Sequence, residues 1–183
     1  FIGRHEVRPN IIISMEYPIK VEGDNIYRNK NNPDIIIKNN GPIKAISVSC
    51  GVSLYIYDEK LDTITQSVYI KNNGFSYALS AIELKPFDEI RKSLIGVKHD
   101  NVLAIYSVSV SYYRESDMKL FSSHEYYFIE KSMITTNQQL KNNLRYRNII
   151  EKVKTYSPKD IKQIATLTAA KEHTWFCELS DPK

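Results

Sequence analysis

Across residues 45–57 apolar positions alternate with small or aromatic polar ones: Ile46, Val48, Cys50, Val52, Leu54 and Ile56 against Ser47, Ser49, Gly51, Ser53, Tyr55 and Tyr57. A period of two puts each set on its own face of a β-strand, the apolar set turned to a core and the other to water. The pattern recurs in residues 102–113, where Val108, Val110 and Tyr112 oppose Ser107, Ser109 and Ser111. Val48, Val52 and Val108 are therefore predicted core residues. Segments 11–17, 34–38, 63–70, 75–84 and 120–129 share this character at shorter length. Turn signals separate them: Pro18, Asn39-Asn40-Gly41-Pro42, Asn72-Asn73-Gly74, Lys85-Pro86 and Arg114-Glu115-Ser116-Asp117. The polar stretch 22–33 reads as a loop. Seven short strands without helical period predict a mainly β chain, an antiparallel immunoglobulin-like sandwich over residues 10–132.

The period changes after Thr136. Leu140, Leu144, Ile149, Ile150, Val153 and Tyr156 recur at threes and fours, which predicts a helix over 137–156 with Leu140, Leu144, Ile150 and Val153 toward the sandwich. Ser157-Pro158-Lys159-Asp160 then offers an N-cap, Pro at the first helical position and an acidic residue three after the cap. A second helix is expected to about residue 171, so 137–171 forms a two-helix appendage.

Three stretches together, IIIKNNGPIKAISVSCGVSLYI, YALSAIELKPFDEI and IYSVSVSYYRESDMKLFSSHEYYFI, carry a resemblance. In strand pattern they resemble bacterial immunoglobulin-like sandwiches of the cell-adhesion-related and fibronectin type III-like kinds, over residues 10–130. The resemblance implies an exported or surface-anchored accessory module that binds or spaces, with no catalytic residues to carry over.

Composition adds a setting. At 183 residues, 42% hydrophobic and 25% charged, the chain fits one globular domain with an appendage. Thirteen Tyr against 6 Phe and 1 Trp suit half-buried strand surfaces. No run approaches the ~20 apolar residues of a membrane helix. The chain opens at Phe1 without an initiator methionine. That start leads us to expect a preceding leader or anchor, and an extracytoplasmic module tethered by it.

The net charge of +4 is too small to imply a nucleic-acid partner. Its distribution is uneven: residues 138–163 hold seven cations against Glu151 and Asp160. Lys141, Arg145, Lys152 and Lys154 on the predicted helix are the expected face for an anionic partner, either lipid headgroups or an acidic protein.

Catalytic signals are missing from the linear sequence. His5, His99, His124 and His173 are isolated, Cys50 and Cys177 have no metal-ligand spacing, and no G-x-S-x-G elbow or phosphate loop is present. The acidic pairs Asp58-Glu59 and Asp88-Glu89 and the Glu115-x-Asp117 pattern sit at predicted turns without calcium-loop spacing. No catalytic residue, metal or cofactor is expected. Tyr112, Tyr113, Tyr126 and Tyr127 lie on strands that should pair as a hairpin. Alternation turns one of each pair to solvent, where a glycan or peptide would stack. The sequence thus points to a non-enzymatic binding module for a protein or cell-surface polymer. The alternative is an enzyme with its site between sandwich and helical tail.

Overall fold

The computed structural model describes residues 6–30, 32–70, 83–94, 96–97, 102–131, 133–156 and 176–177. Within these the chain is mainly β. The strands are β1 (Ile11–Glu16), β2 (Ile19–Glu22), β3 (Asn25–Arg28), β4 (Asp34–Asn39), β5 (Ala45–Asp58), β6 (Thr63–Ile70), β7 (Glu89–Ser93), β8 (Gly96–Val97), β9 (Leu103–Arg114), β10 (Lys119–Glu130), β11 (Met133–Thr136) and β12 (Phe176–Cys177). One helix, α1 (Leu144–Thr155), accompanies them.

Two sheets carry the architecture. One has five strands in the order β11-β10-β9-β5-β6, the other three in the order β1-β4-β7, all antiparallel. They share a dry interior in which Ile11, Met15, Ile35 and Ile37 of the smaller sheet meet Val48, Val52, Leu54, Tyr106, Val108 and Val110 of the larger. The three valines predicted as core are fully or almost fully buried. On the opposite, outer face α1 places Ile149 and Val153 against Tyr57, Leu103, Ile105, Tyr126 and Phe128. Among the described residues the larger sheet is therefore covered on both faces at one end only.

The predicted strands 11–17, 34–38, 45–57, 63–70, 102–113 and 120–129 match β1, β4, β5, β6, β9 and β10 to within one residue at each end. The expected seven strands are more numerous. β7, β8 and β11 are too short for period two to mark them, and the 22–33 loop contains half of a hairpin. There β2 and β3 pair about Gly23, whose φ of +60° supplies the tight turn. In β5 a bulge intervenes between Ile46 and Ser49, with Ser47 at φ +49°. It turns Ala45 rather than Ile46 into the core, so the apparent alternation is out of step at its first residue.

The turn Asn39-Asn40-Gly41-Pro42 does not join paired strands. It carries the chain from β4 in one sheet to β5 in the other. Asn39 is the node: its buried Oδ1 accepts from Gly41 N–H at 2.9 Å and Asn10 N–H at 3.2 Å, and its amide donates to Ile43 O at 2.8 Å and Leu84 O at 2.9 Å. Gly41 is needed for closeness, since a Cβ there would stand 2.5 Å from the Asn10 nitrogen.

The helix begins seven residues later than its periodicity suggests. Thr136 and Gln139 first close a turn on themselves, Thr136 N–H donating to Gln139 Oε1 at 2.9 Å and Gln139 N–H to Thr136 Oγ1 at 3.2 Å. Asn143 then caps α1 by accepting from Arg145 N–H at 3.0 Å, the role Asn prefers over a helix interior. With this start Leu144 is 67% exposed, not packed on the sheet, while Ile149 and Val153 are buried. Leu140 and Ile150 are partly buried beside them. The second predicted helix, the turn Asn72-Asn73-Gly74 and nearly all of strand 75–84 lie outside the described residues. Of that strand Glu83 and Leu84 are described, Leu84 bridging Ala45 and Glu83 pairing with Lys44 at 3.5 Å.

Candidate functional site

The strand register arranges the outer face of the large sheet into rows. Ser49 of β5, Ser111 of β9 and Ser122 of β10 stand side by side. In the next row come Gly51, Ser109 and His124, and after it Ser53, Ser107 and Tyr126. Strands lie about 4.8 Å apart and same-face residues about 7 Å apart along a strand, so these rows form a lattice rich in hydroxyl groups. At one end it is bounded by the row Ile46, Tyr113 and Leu120, at the other by Tyr55, Ile105 and Phe128. Ser49, Ser109, Ser122 and His124 are exposed.

Within the lattice Ser107 Oγ and His124 Nε2 are 2.6 Å apart. The His124 ring tilts against Tyr126 with centroids 4.4 Å apart. Partial burial, and then the Lys154 ammonium at the end of α1, hold the His124 imidazole below its ordinary value, so it is neutral at pH 7. At the helical margin Tyr55 meets Tyr156 edge to face at 6.2 Å. The face therefore offers hydroxyl donors and acceptors, one neutral imidazole and aromatic borders.

The four tyrosines singled out from sequence do not share one surface. Tyr112 is buried on the inner face, stacked on Phe121 at 5.6 Å, and Tyr127 is buried on that face too. Tyr113 is half-buried on the outer face. Tyr126 points outward as alternation requires, yet only 8% is exposed because α1 covers it. The expectation of a solvent-facing member in each pair thus holds for Tyr113 and fails for the second pair. What reading the tyrosines missed was the serines. Their alternation is visible in β5 and β9, but the register that aligns them with Ser122 of β10 is a property of the fold.

Three of the four basic residues singled out on α1 are engaged within the chain. Arg145 pairs with Glu59 and, at 3.4 Å, with Glu130, which also accepts from Tyr146 Oη at 2.9 Å. Lys152 pairs with Asp62 at 2.8 Å and Lys154 with Glu151 at 3.4 Å. Lys141 is exposed in the turn before the helix. The Arg145–Glu59 and Lys152–Asp62 pairs tie the helix to the β5–β6 turn, while Lys154–Glu151 lies within the helix itself.

Beside those pairs lies a pocket of about 670 Å³, with Tyr57, Asp62, Arg145, Asn148, Glu151 and Lys152 among its lining. Tyr57 Oη donates to Asp62 at 2.5 Å, which pushes the phenol up to about 12. Asp62 therefore serves both Tyr57 and Lys152, and these three polar groups of the pocket wall are already matched.

Asp58, Asp117 and Glu115 have partners within the chain. Asp58 Oδ1 accepts from Lys60 and Leu61 N–H at 2.8 and 3.0 Å, Asp117 pairs with Arg114 at 2.6 Å, and Glu115 with Lys44 at 3.1 Å. Among the described residues no three of His, Cys, Asp or Glu converge as a metal site. His5, His99 and His173 lie outside the described residues. Cys50 is buried, which pushes its thiol up to about 12. No protein-family model matches the chain, and no curated protein matches it.

Proposed function

We propose that this chain is a non-enzymatic binding module that engages a flat polar polymer of the cell surface through the outer face of its larger sheet. In this reading it is an immunoglobulin-like sandwich held outside a bacterial membrane. The observation that carries the reading is the aligned lattice of Ser49, Ser109, Ser111, Ser122 and His124, bounded by Tyr113 and Tyr55. Four serine hydroxyls and one imidazole in register across three strands offer hydrogen-bonding groups at regular spacing, while aromatic borders give sugar rings a place to stack. The strand-pattern resemblance supports the same class of role.

A second reading, an enzyme with its site between sandwich and helix, rests on the 2.6 Å contact of Ser107 Oγ with His124 Nε2, close to Lys154. One experiment separates the two. The purified chain is tested for retention by immobilised cell-wall glycans, muropeptides and plant and fungal oligosaccharides, and for turnover of acyl esters. Retention weakened by Ser109→Trp without ester turnover supports the module. Ester turnover abolished by Ser107→Ala and His124→Ala supports the enzyme, and retention by none of the polymers overturns the first reading.

A further inference from the structure

β10 pairs with β9 along its length, from Lys119 opposite Arg114 to Ile129 opposite Ala104. Its other edge is covered only in part. β11 reaches residues 127–130, and Asn137 closes the end of that ladder, its Oδ1 accepting from Tyr126 N–H at 3.2 Å and its N–H donating to Tyr126 O at 3.0 Å. Among the described residues no strand continues along residues 119–125. Because Tyr126 turns its N–H and C=O to the outer edge, alternation turns those of Leu120, Ser122 and His124 the same way.

Two side-chain observations bear on what lies there. Glu125 stands on the inner face opposite the fully buried Val108, and its Oε2 is buried without a hydrogen-bond partner. A buried acceptor of this kind calls for a donor. Met118 and Leu120, at the same edge, are both more than half exposed.

We propose that this edge is a self-association seam, in which β10 of a second copy of the chain pairs antiparallel with it about a two-fold axis at Ser122. In that register Ser122 faces its own counterpart and His124 faces Leu120 of the second copy. Lys119 of the second copy stands opposite Glu125. The pairing is reciprocal, as two-fold symmetry requires. Lys119 already holds Glu6 at 2.8 Å, and its ammonium has three donors, so it serves both carboxylates. Glu125 also selects the register. Sliding the copy by the smallest step that keeps the faces matched places Phe121 opposite Glu125 in one direction and Asp117 in the other, neither of which donates. An inward-pointing charge of this kind restrains the open-ended pairing that bare edges invite. The seam stands whatever the outer face binds.

Sedimentation of the full chain from micromolar to near-millimolar concentration tests it. A reversible monomer–dimer equilibrium is expected. Ser122→Pro removes the outward N–H on the axis and leaves the β9 ladder intact, a placement Pro tolerates at an edge. It should leave the circular dichroism spectrum unchanged and abolish the dimer. Glu125→Lys should weaken the dimer by about tenfold or more, and combining it with Lys119→Glu should restore it. A monomer at every concentration, a dimer indifferent to Ser122→Pro, or no rescue by the charge exchange overturns the proposal.

Discussion

Tyr126 and Ser107 stand directly opposite each other on β10 and β9, and the outer face of the sheet changes character at that pair. Beyond it lie Phe128, Ile105 and the helix. Before it lie His124 and Ser109, both exposed. The cause is length. A twelve-residue helix spans about 18 Å, whereas the fourteen residues of β5 run about 45 Å. α1 alone therefore cannot cover the whole length of that face.

The helix docks through Ile149 and Val153 rather than Leu144. Ile149→Ala should cost about 2–5 kcal/mol in urea denaturation, because the side chain is 1% exposed. Leu144→Ala should shift stability by less than about 0.5 kcal/mol. Equal costs would mean the helix is rotated from the face described.

How much of this was legible follows from what period two encodes. It marks which residues share a face within a strand, so β5, β9 and β10 and the burial of Val48, Val52 and Val108 were readable. It does not say which strands are neighbours, so the alignment of Ser49, Ser111 and Ser122 was not. Nor does it register a bulge, and Ile46 was assigned to the wrong face for that reason. Tyr126 was misjudged because a second layer covers it, which no property of its own strand reveals. The late start of α1 is a capping effect: Asn143 caps, although the apolar spacing runs back to Leu140.

The inter-sheet crossing depends on two residues. Gly41→Ala brings a Cβ to within 2.9 Å of backbone atoms at Arg8, Pro9 and Asn10, none of which can move without shifting β1. A loss of about 1–3 kcal/mol is expected. Asn39→Ala leaves the Gly41 and Asn10 N–H and the Ile43 and Leu84 carbonyls without their partner and should cost at least about 2 kcal/mol. Thermal unfolding of both variants checks this, and a neutral Gly41→Ala would contradict the close approach.

Burial holds the Glu125 carboxyl above its ordinary range. The folded state therefore prefers it protonated. Its contribution is most favourable below the unfolded value and is lost as pH rises through the raised one. Glu125→Gln should then stabilise the monomer at pH 7, by about 0.5–1 kcal/mol given its partial exposure, with the gain vanishing near pH 3. Urea midpoints of dilute protein across that range decide it, and a gain that grows on acidification would reverse the sign.

His124 moves the other way. Its folded value is depressed by burial first and by Lys154 second, so stability present above the unfolded value is lost as pH falls through the folded one. Lys154→Gln should raise the His124 midpoint in an NMR titration, and His124→Gln should flatten the stability profile between pH 5 and 7. An unmoved midpoint would place Lys154 too far away to act.

The central claim is that the outer serine lattice is the recognition surface, and a backbone amide map of the chain titrated with a polymer fragment that retains it tests this most directly. Shifts are predicted at Ser49, Ser109, Ser111, Ser122 and His124, with side-chain changes at Tyr55 and Tyr113, and little change at Lys141, Arg145, Lys152 or the β2–β3 hairpin. Saturable shifts confined to those basic residues or to the hairpin, with the serines unmoved, would contradict it.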